Sequence, residues 1–317
     1  MSSAFPTPLP KRASCRALFA LPILLLLLCT SGLHAQASAA SMPLDEGFGA
    51  LDPTEPTLPV AQIIQEFTAK EALFATALND YTWTRSVRVQ TLDDDGHPNG
   101  EYYQVVDIYY NPQGQRKERV TDAPATSLKD IMMTERDFSD IEERLPFVLT
   151  TQDASLYNIT YLGAQSVDKI DTWVFDVKPK AIEKNKRYFQ GRIWVDQKEH
   201  QIVVTNGKSV PDDLRPGHED LTLPFITYRE MVDGKYWFPT YTVGEATLHF
   251  AGGHGYLSQN ARMRETVKYT NYHQFRTSIR VLYNGQEISN NTDKNQQQPA
   301  QPPTGQQPTT VPQTKPQ

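Results

Sequence analysis

Cysteine is almost absent from this sequence: the 317 residues include two, Cys15 and Cys29, and both lie close to the start. The body of the chain therefore has no thiol nucleophile and no thiolate ligand for a zinc site. Disulfides often stabilise exported domains with small cores. Without cysteines, an exported body must rely on a hydrophobic core, and this chain is long enough to form one.

Long apolar runs are equally scarce. The one continuous run, ALFALPILLLLL (17–28), is shorter than the roughly 20 residues that a membrane-spanning helix needs. Basic residues precede it (Lys11, Arg12 and Arg16), and small residues follow it, with an A-x-A arrangement that ends at Ala37. This order is typical of a secretory signal peptide. The sequence predicts that residues 1–37 are cleaved and that the mature protein is exported to the periplasm.

Cys29 raises the alternative of a lipid anchor. Lipid attachment requires a small residue just before the cysteine, but leucines occupy positions 26–28. They fit the apolar core of a signal peptide better. We therefore expect a cleaved leader and no anchor at Cys29.

An excess of positive charge is also lacking. Lys and Arg number 31 against 37 Asp and Glu, for a formal net charge of −6, and loss of the three basic residues in the leader makes it about −9. An acidic balance argues against a nucleic-acid partner, whose phosphates attract a basic face. No basic cluster favours stable binding to anionic lipid either, so contact with a membrane surface is expected to be transient.

Composition divides the mature chain into three parts. Residues 38–58 are rich in Pro, Gly and acidic side chains and read as a flexible linker, and residues 59–287 carry the apolar periodicity of a folded domain. Residues 288–317 are dominated by Gln, Pro and Thr, a composition that predicts a disordered tail. A monomer is expected.

The folded part is predicted to be α+β. Apolar residues recur at helical spacing over 60–81, and a second helical segment is predicted over 127–143, with Ser127 as its N-cap. The rest reads as nine or ten short strands joined by turns, ending in a pair across 261–283. This pattern predicts a large antiparallel sheet with its helices gathered on one side.

Strand alternation separates two faces in the segment RYFQGRIWVDQKEHQIV (187–203). Phe189, Ile193 and Val195 form a core face, whereas Trp194 lies on a mixed face of rings and polar groups. All four tryptophans fall in predicted strands. They either fill the core, as Trp usually does, or line an apolar cavity for an amphiphile. The residues that we expect to contact such a ligand are Trp83, Trp173, Trp194, Trp237 and Phe238.

No motif in the sequence predicts catalysis, a cofactor or a metal. A G-x-S-x-G elbow and the glycine-rich nucleotide loops are absent. His249 and His254 straddle a glycine turn without further ligands, and DDDGHPNGE (93–101) lacks the ligand series of a calcium loop. A hydrolase site in loops 209–224 and 251–258 is left as a remote alternative.

Three segments together resemble a known family. GRIWVD (191–196), a turn and QIVV (201–204) resemble the central strands of periplasmic outer-membrane lipoprotein-sorting proteins, the LolA-like superfamily. REMVDGKYWFPT (229–240) is similar to its downstream hairpin, and helix 60–81 followed by YTWTRSVRV to its opening. Trp194 and Asp196 match the strand motif. Trp237, Phe238 and Pro239 match the hairpin.

The resemblance implies a strongly curved, half-open antiparallel sheet whose open side is covered by helices. It further implies a non-enzymatic protein that holds a lipid, the acyl chain of a lipoprotein or another amphiphile in the concave face. Some relatives are envelope-stress sensors, so a protein-interaction or sensor module without lipid transfer is the alternative.

Overall fold

The structure, a computed structural model, describes residues 48–111, 114–129, 131–212, 221–250 and 258–275, and the backbone of 281–283 and 286–288. These residues belong to two units, of which the first ends at Phe275. In the second, β11 (Val281–Tyr283) pairs antiparallel with β12 (Gln286–Ile288). The leader, the linker up to residue 47 and the Gln/Pro/Thr-rich segment from 289 onward lie outside the described residues, as do His254 and most of the two loops considered for a hydrolase site.

One large sheet dominates the first unit. Its strands are, in chain order, β1 (Tyr81–Leu92), β2 (Pro98–Tyr110), β3 (Arg116–Asp122), β4 (Tyr157–Val167), β5 (Ile170–Pro179), β6 (Tyr188–Asp196), β7 (Ile202–Val210), β8 (Phe225–Met231), β9 (Trp237–Phe250) and β10 (Gln259–Gln274).

The strand order is β3-β2-β1-β10-β9-β8-β7-β6-β5-β4, and every pair is antiparallel. Two meanders, β1–β3 and β4–β10, are joined where β1 pairs with β10. The sheet curves around its helices, and the edge strands β3 and β4 do not meet. The predicted α+β class with a half-open antiparallel sheet is therefore confirmed.

The described residues form three helices beside the sheet: α1 (Val60–Leu78), α2 (Glu135–Glu143) and the single turn α3 (Thr151–Ala154). The prediction for α1 is confirmed apart from its last three residues. Among the described residues, no helix has both the length and the apolar character needed to span a membrane.

The predicted start of the second helix is wrong. Ser127 does not cap a helix; its hydroxyl accepts a hydrogen bond from the backbone N–H of Glu101 in β2. The helix begins eight residues later, where Thr134 and Asp137 form a reciprocal capping box. This motif satisfies two backbone donors at once. The predicted final strand pair is wrong as well, because one 16-residue strand, β10, occupies most of that region.

The two faces of the sheet carry separate apolar clusters. The larger cluster includes buried residues of α1 and α2 and defines the helix-covered face. A smaller cluster on the opposite face contains no residue of any helix, and its buried members are Val167, Val174, Trp194, Val203, Val204 and Ile226. The alternation predicted for β6 is confirmed: Phe189, Ile193 and Val195 join the larger cluster and Trp194 the smaller.

Candidate functional site

Helix α1 packs on the sheet through apolar residues along one of its faces. Ile63, Phe67 and Phe74 are at most 1% exposed. Phe67 packs against Phe175 of β5 with ring centroids 5.5 Å apart, and Phe74 meets Phe238 of β9 edge-to-face at 5.2 Å. Aromatic pairs in such geometries add to the free energy gained by burying their surface. The helix therefore covers the part of the sheet that runs from β9 to β5.

A buried ion pair lies beneath this helix. Both carboxylate oxygens of Glu71 accept from Nη1 of Arg229 in β8, at 3.0 and 3.1 Å, and both side chains are essentially inaccessible to solvent. The backbone N–H of Ile202 also donates to Glu71, at 3.4 Å. Burial raises the pKa of Glu71, and the guanidinium of Arg229 opposes that rise. The pair ties α1 to the sheet at a fixed rotation.

The segment between α2 and α3 completes the cover. Nη2 of Arg229 donates to the carbonyl of Phe147, and the hydroxyl of Thr227 donates to that of Leu145 at 2.7 Å. The ring of Phe147 stacks on that of Phe189 with centroids 4.2 Å apart. Arg229 thus holds α1 and the segment 145–149 together over β6 and β8.

A crevice of about 380 Å³ opens where α1 meets this segment. This volume lies within the range of small-molecule binding sites. Its apolar lining comes from the end of α1, the segment 146–148 and the adjoining chain: Phe74, Leu78, Pro146, Phe147, Val148, Leu156, Tyr157, Tyr188 and Pro239. Several of these residues pack into the core behind the opening. The crevice is thus a mouth of the apolar interior.

Charged side chains surround the mouth. Acidic groups come from α2 and α3, and basic groups are Arg144, Lys186 and Arg187. Arg187 forms an ion pair with Asp140 of α2 at 2.7 Å, and Lys186 pairs with Glu183. Burial raises the pKa of the Tyr157 phenol, which therefore stays neutral. An apolar floor with a charged rim suits a ligand that has an apolar chain and a polar head.

A second, more polar crevice of about 600 Å³ lies on another side of α1, between Leu73 and Val232. Under α2, a cavity of about 20 Å³ has room for about one water molecule. Its lining includes Glu265 of β10, Asp137, Asp140 and Ser209, and the buried hydroxyl of Ser209 has no hydrogen-bond partner. In the part of the chain that the structure describes, no three His, Cys, Asp or Glu side chains are grouped to hold a metal ion.

The five residues predicted to contact a ligand lie on two faces. Trp83, Trp173 and Phe238 are buried on the helix-covered face, whereas Trp194 and the half-buried Trp237 belong to the opposite face. None of the five is among the described residues lining the crevice. Phe238 comes nearest to it, through its contact with Phe74. Ligand contact by these residues stays a prediction.

Sequence reasoning missed the residues that build the crevice and its cover, chiefly Phe147, Arg229 and Glu71. The apolar run LPFVL (145–149) directly after a helical pattern is a usable signal for Phe147. Nothing local marks the ion pair, whose members lie 158 residues apart in sequence.

The fold and the crevice together define the class of protein: a half-open antiparallel sheet is covered by helices, and an apolar crevice opens beside helix α1. No family model matches the sequence, and no curated protein matches it. Solved structures similar to this chain include a DUF1329 family protein from Desulfovibrio piger, with 14% identity over 69% of this chain and 94% of that one and a TM-score of 0.32.

Two further similar structures bear on the resemblance seen in the sequence. A LolA superfamily protein from Nitrosomonas europaea has 15% identity over 69% of this chain and 94% of its own, with a TM-score of 0.29. An outer membrane lipoprotein-sorting protein domain from Vibrio parahaemolyticus has 11% identity over 67% and 93%, with a TM-score of 0.29. Lipoprotein-sorting proteins, the family that the sequence resembles, are thus among the solved structures to which this chain is similar. The fold class itself rests on the strand order described above.

Proposed function

We infer that this chain is an exported, non-enzymatic binding protein of the cell envelope that holds the acyl chain of a lipid or lipoprotein, or another amphiphile, on the helix-covered face of its sheet. One observation carries the proposal: the crevice beside α1 has an apolar floor continuous with the core and a charged rim. The acyl chain enters the floor, and its polar head stays among the rim charges. Each buried methylene contributes about 0.8 kcal/mol.

The cover is the element that moves. The interior behind the mouth is filled by side chains, and Phe147 in particular is stacked on Phe189. A long acyl chain must therefore displace the segment 145–149 or the end of α1. The leader proposed from the sequence and the similarity to lipoprotein-sorting proteins support a periplasmic location.

Displacement of a fluorescent fatty acid tests the proposal. Leu156 lines the crevice and is 44% exposed, so Leu156→Arg places a charge at the mouth without filling the core. We expect this variant to bind at least tenfold more weakly than the wild type. Val120 on edge strand β3 is 54% exposed and lines neither crevice, and Val120→Arg is the matched control.

Leu73→Arg, at the polar crevice, discriminates between the two openings. If this change weakens binding and Leu156→Arg does not, the ligand lies in the other crevice. If the wild type neither displaces the probe nor co-purifies with lipid detectable by mass spectrometry, the amphiphile-binding function is refuted.

A further inference from the structure

The two edges of the sheet differ in charge. Edge strand β3, RKERVTD, carries five charged side chains in seven residues, whereas edge strand β4, YNITYLGAQSV, carries none in eleven. Charges on an edge strand prevent pairing with other chains, and an uncharged edge remains competent to pair. The β4 edge is the one at which another extended segment can be added.

An extended segment of this chain already pairs there. Asp52 forms an isolated antiparallel bridge with Ala164, and their N–H groups donate to each other's carbonyls at 2.8 and 2.7 Å. We name residues 48–54 the arm. Within the described part of the chain, the arm pairs with the outer side of β4 through this one residue. The remainder of the edge is left for a longer strand.

Side chains of β4 contact the arm mainly through the backbone of the arm. Nε2 of Gln165 donates to the carbonyl of Gly49 at 2.5 Å, while Oε1 of the same side chain accepts from the indole N–H of Trp194 at 2.7 Å. Tyr161 donates its hydroxyl hydrogen to the carbonyl of Thr54 at 3.0 Å. Backbone carbonyls are present in any extended peptide, so these donors do not depend on the identity of the arm.

Gly163 makes room for the pairing strand. Its φ is +145°, and a Cβ at this position would lie 2.4 Å from the carbonyl oxygen of Asp52. Only glycine permits this approach at such a φ. The edge is therefore shaped to accept a backbone at close range.

One position of the arm, Phe48, depends on the identity of its side chain. The ring of Phe48 meets Trp194 edge-to-face with centroids 5.7 Å apart, and Leu51 packs against the same cluster. Apart from these two residues the arm is exposed to solvent. Few contacts hold it, so another segment with the same features can replace it.

We propose that the β4 edge and the Trp194 cluster form a docking site for an extended peptide segment of a partner protein, which adds a strand to β4 by displacing the arm. The peptide carries an aromatic residue four positions before the residue that pairs with Ala164, and a small residue directly after that aromatic. Strand addition of this kind takes its affinity from main-chain hydrogen bonds and its specificity from side-chain pockets. The Trp194 cluster lies on the opposite face of the sheet from the proposed amphiphile crevice, and the residues that contact the arm do not line that crevice.

The test uses the arm's own sequence as the probe. A fluorescein-labelled peptide EGFGALDPTEP (46–56) is titrated with the full chain by fluorescence anisotropy. In the wild type the tethered arm competes at an effective concentration on the order of millimolar. Asp52→Pro removes the N–H that the arm donates to Ala164 and leaves the site intact. We expect this variant to bind the peptide at least tenfold more tightly than the wild type.

Peptide variants separate strand pairing from simple apolar adhesion. N-methylation at the position of Asp52 should abolish binding to Asp52→Pro, and serine at the position of Phe48 should weaken it at least tenfold. Binding that survives N-methylation contradicts strand addition. Equal affinity of wild type and Asp52→Pro, with native circular dichroism and a cooperative melt in both, also overturns the proposal.

Other occupants give different outcomes. If Asp52→Pro forms dimers in sedimentation without peptide, the β4 edge binds a second copy of this chain. If the variant instead gains binding to phosphatidylglycerol vesicles, the surface binds lipid. Either result refutes the peptide site. If the variant fails to fold, the wild type is examined by NMR with peptide at millimolar concentration. The Asp52 amide should then lose protection from exchange while the Ala164 amide stays protected, and an unchanged Asp52 amide excludes the proposal.

Discussion

At the scale of single residues, the pair Glu71–Arg229 is the clearest link between the helical cover and the sheet. Both side chains are shielded from water, and Arg229 also donates to the carbonyl of Phe147. Removing one member of such a pair leaves an uncompensated buried charge, which is costly, whereas replacing both with apolar residues is often tolerated. The pair therefore controls how the cover is held.

Neutralising Glu71 should therefore destabilise the folded protein. Glu71→Gln should lower the free energy of unfolding by about 3–5 kcal/mol in urea denaturation, because Arg229 loses its counter-ion. Glu66→Gln on the same helix is the control; its carboxylate pairs with His200 at 2.6 Å but is 35% exposed, so a loss below about 1 kcal/mol is expected. The double variant Glu71→Met, Arg229→Met should recover most of the loss. A double variant as unstable as the single one would show that Arg229 acts through the Phe147 carbonyl instead.

Glu265 gives the protein a pH-dependent stability. Burial, with the nearby carboxylates of Asp137 and Asp140, raises the pKa of Glu265 from 4.5 to about 8. The folded protein thus keeps a proton that the unfolded chain releases above pH 4.5. The stabilisation from this group is complete below pH 4.5 and is lost as the pH rises to 8.

Glu265→Gln should remove this dependence, since the amide is neutral at every pH. We expect wild type and variant to unfold at similar urea concentrations at pH 5, and the variant to be more stable by about 4 kcal/mol at pH 8. Arg187, directly before β6, pairs with Asp140, and Asp140 lines the same cavity as Glu265. Glu230→Gln at an exposed position of β8 is the control and should leave the difference between the two pH values unchanged. Parallel pH profiles for wild type and Glu265→Gln would contradict the assignment.

At the scale of elements, α1 presents neighbouring residues of opposite character. Phe74 is 1% exposed and contacts Phe238, whereas Leu73 is 58% exposed. Phe74→Ala should lower the free energy of unfolding by about 3–5 kcal/mol, because it leaves a cavity under the helix. Leu73→Ala should change it by less than about 0.5 kcal/mol. Thermal or urea unfolding of both variants measures the difference, and equal losses would mean that α1 does not pack on the sheet through this face.

Helices and strands were predicted correctly where the sequence pattern is periodic. The bounds were wrong where a helix cap sets the start of α2 and where one long strand, β10, replaces a predicted pair. The 3.6-residue period of α1 and the two-residue period of β6 identify both elements and their buried faces. The start of α2 depends on the Thr134–Asp137 capping box, which competes with an equally plausible cap at Ser127. The ion pair and the crevice depend on which strands become neighbours, and no local pattern encodes that order.

At the scale of the whole molecule, the pairing of β1 with β10 brings the two ends of the sheet's chain together. This pairing leaves β3 and β4 as the free edges of the sheet, and the described helices α1 and α2 pack on one face. The molecule thus has two surfaces with separate chemistry: an apolar mouth beside α1 and an uncharged edge on which the arm lies. A change at one should leave binding at the other intact, because no described residue of the arm lines the crevice.

The strength of amphiphile binding should depend on acyl-chain length as burial in an apolar crevice requires. Each methylene removed from water contributes about 0.8 kcal/mol, so each added carbon should tighten the Kd about fourfold until the crevice is filled. The Kd values of octanoate, decanoate and dodecanoate, measured by displacement and by thermal shift, should therefore differ by about fifteenfold per pair of carbons.

Bound ligand at 100 times its Kd should raise the free energy of unfolding by about 2.7 kcal/mol. Leu156→Arg should weaken binding of the whole series and Asp52→Pro should not; affinities independent of chain length would show that the probe is held by the rim charges and not by the apolar floor.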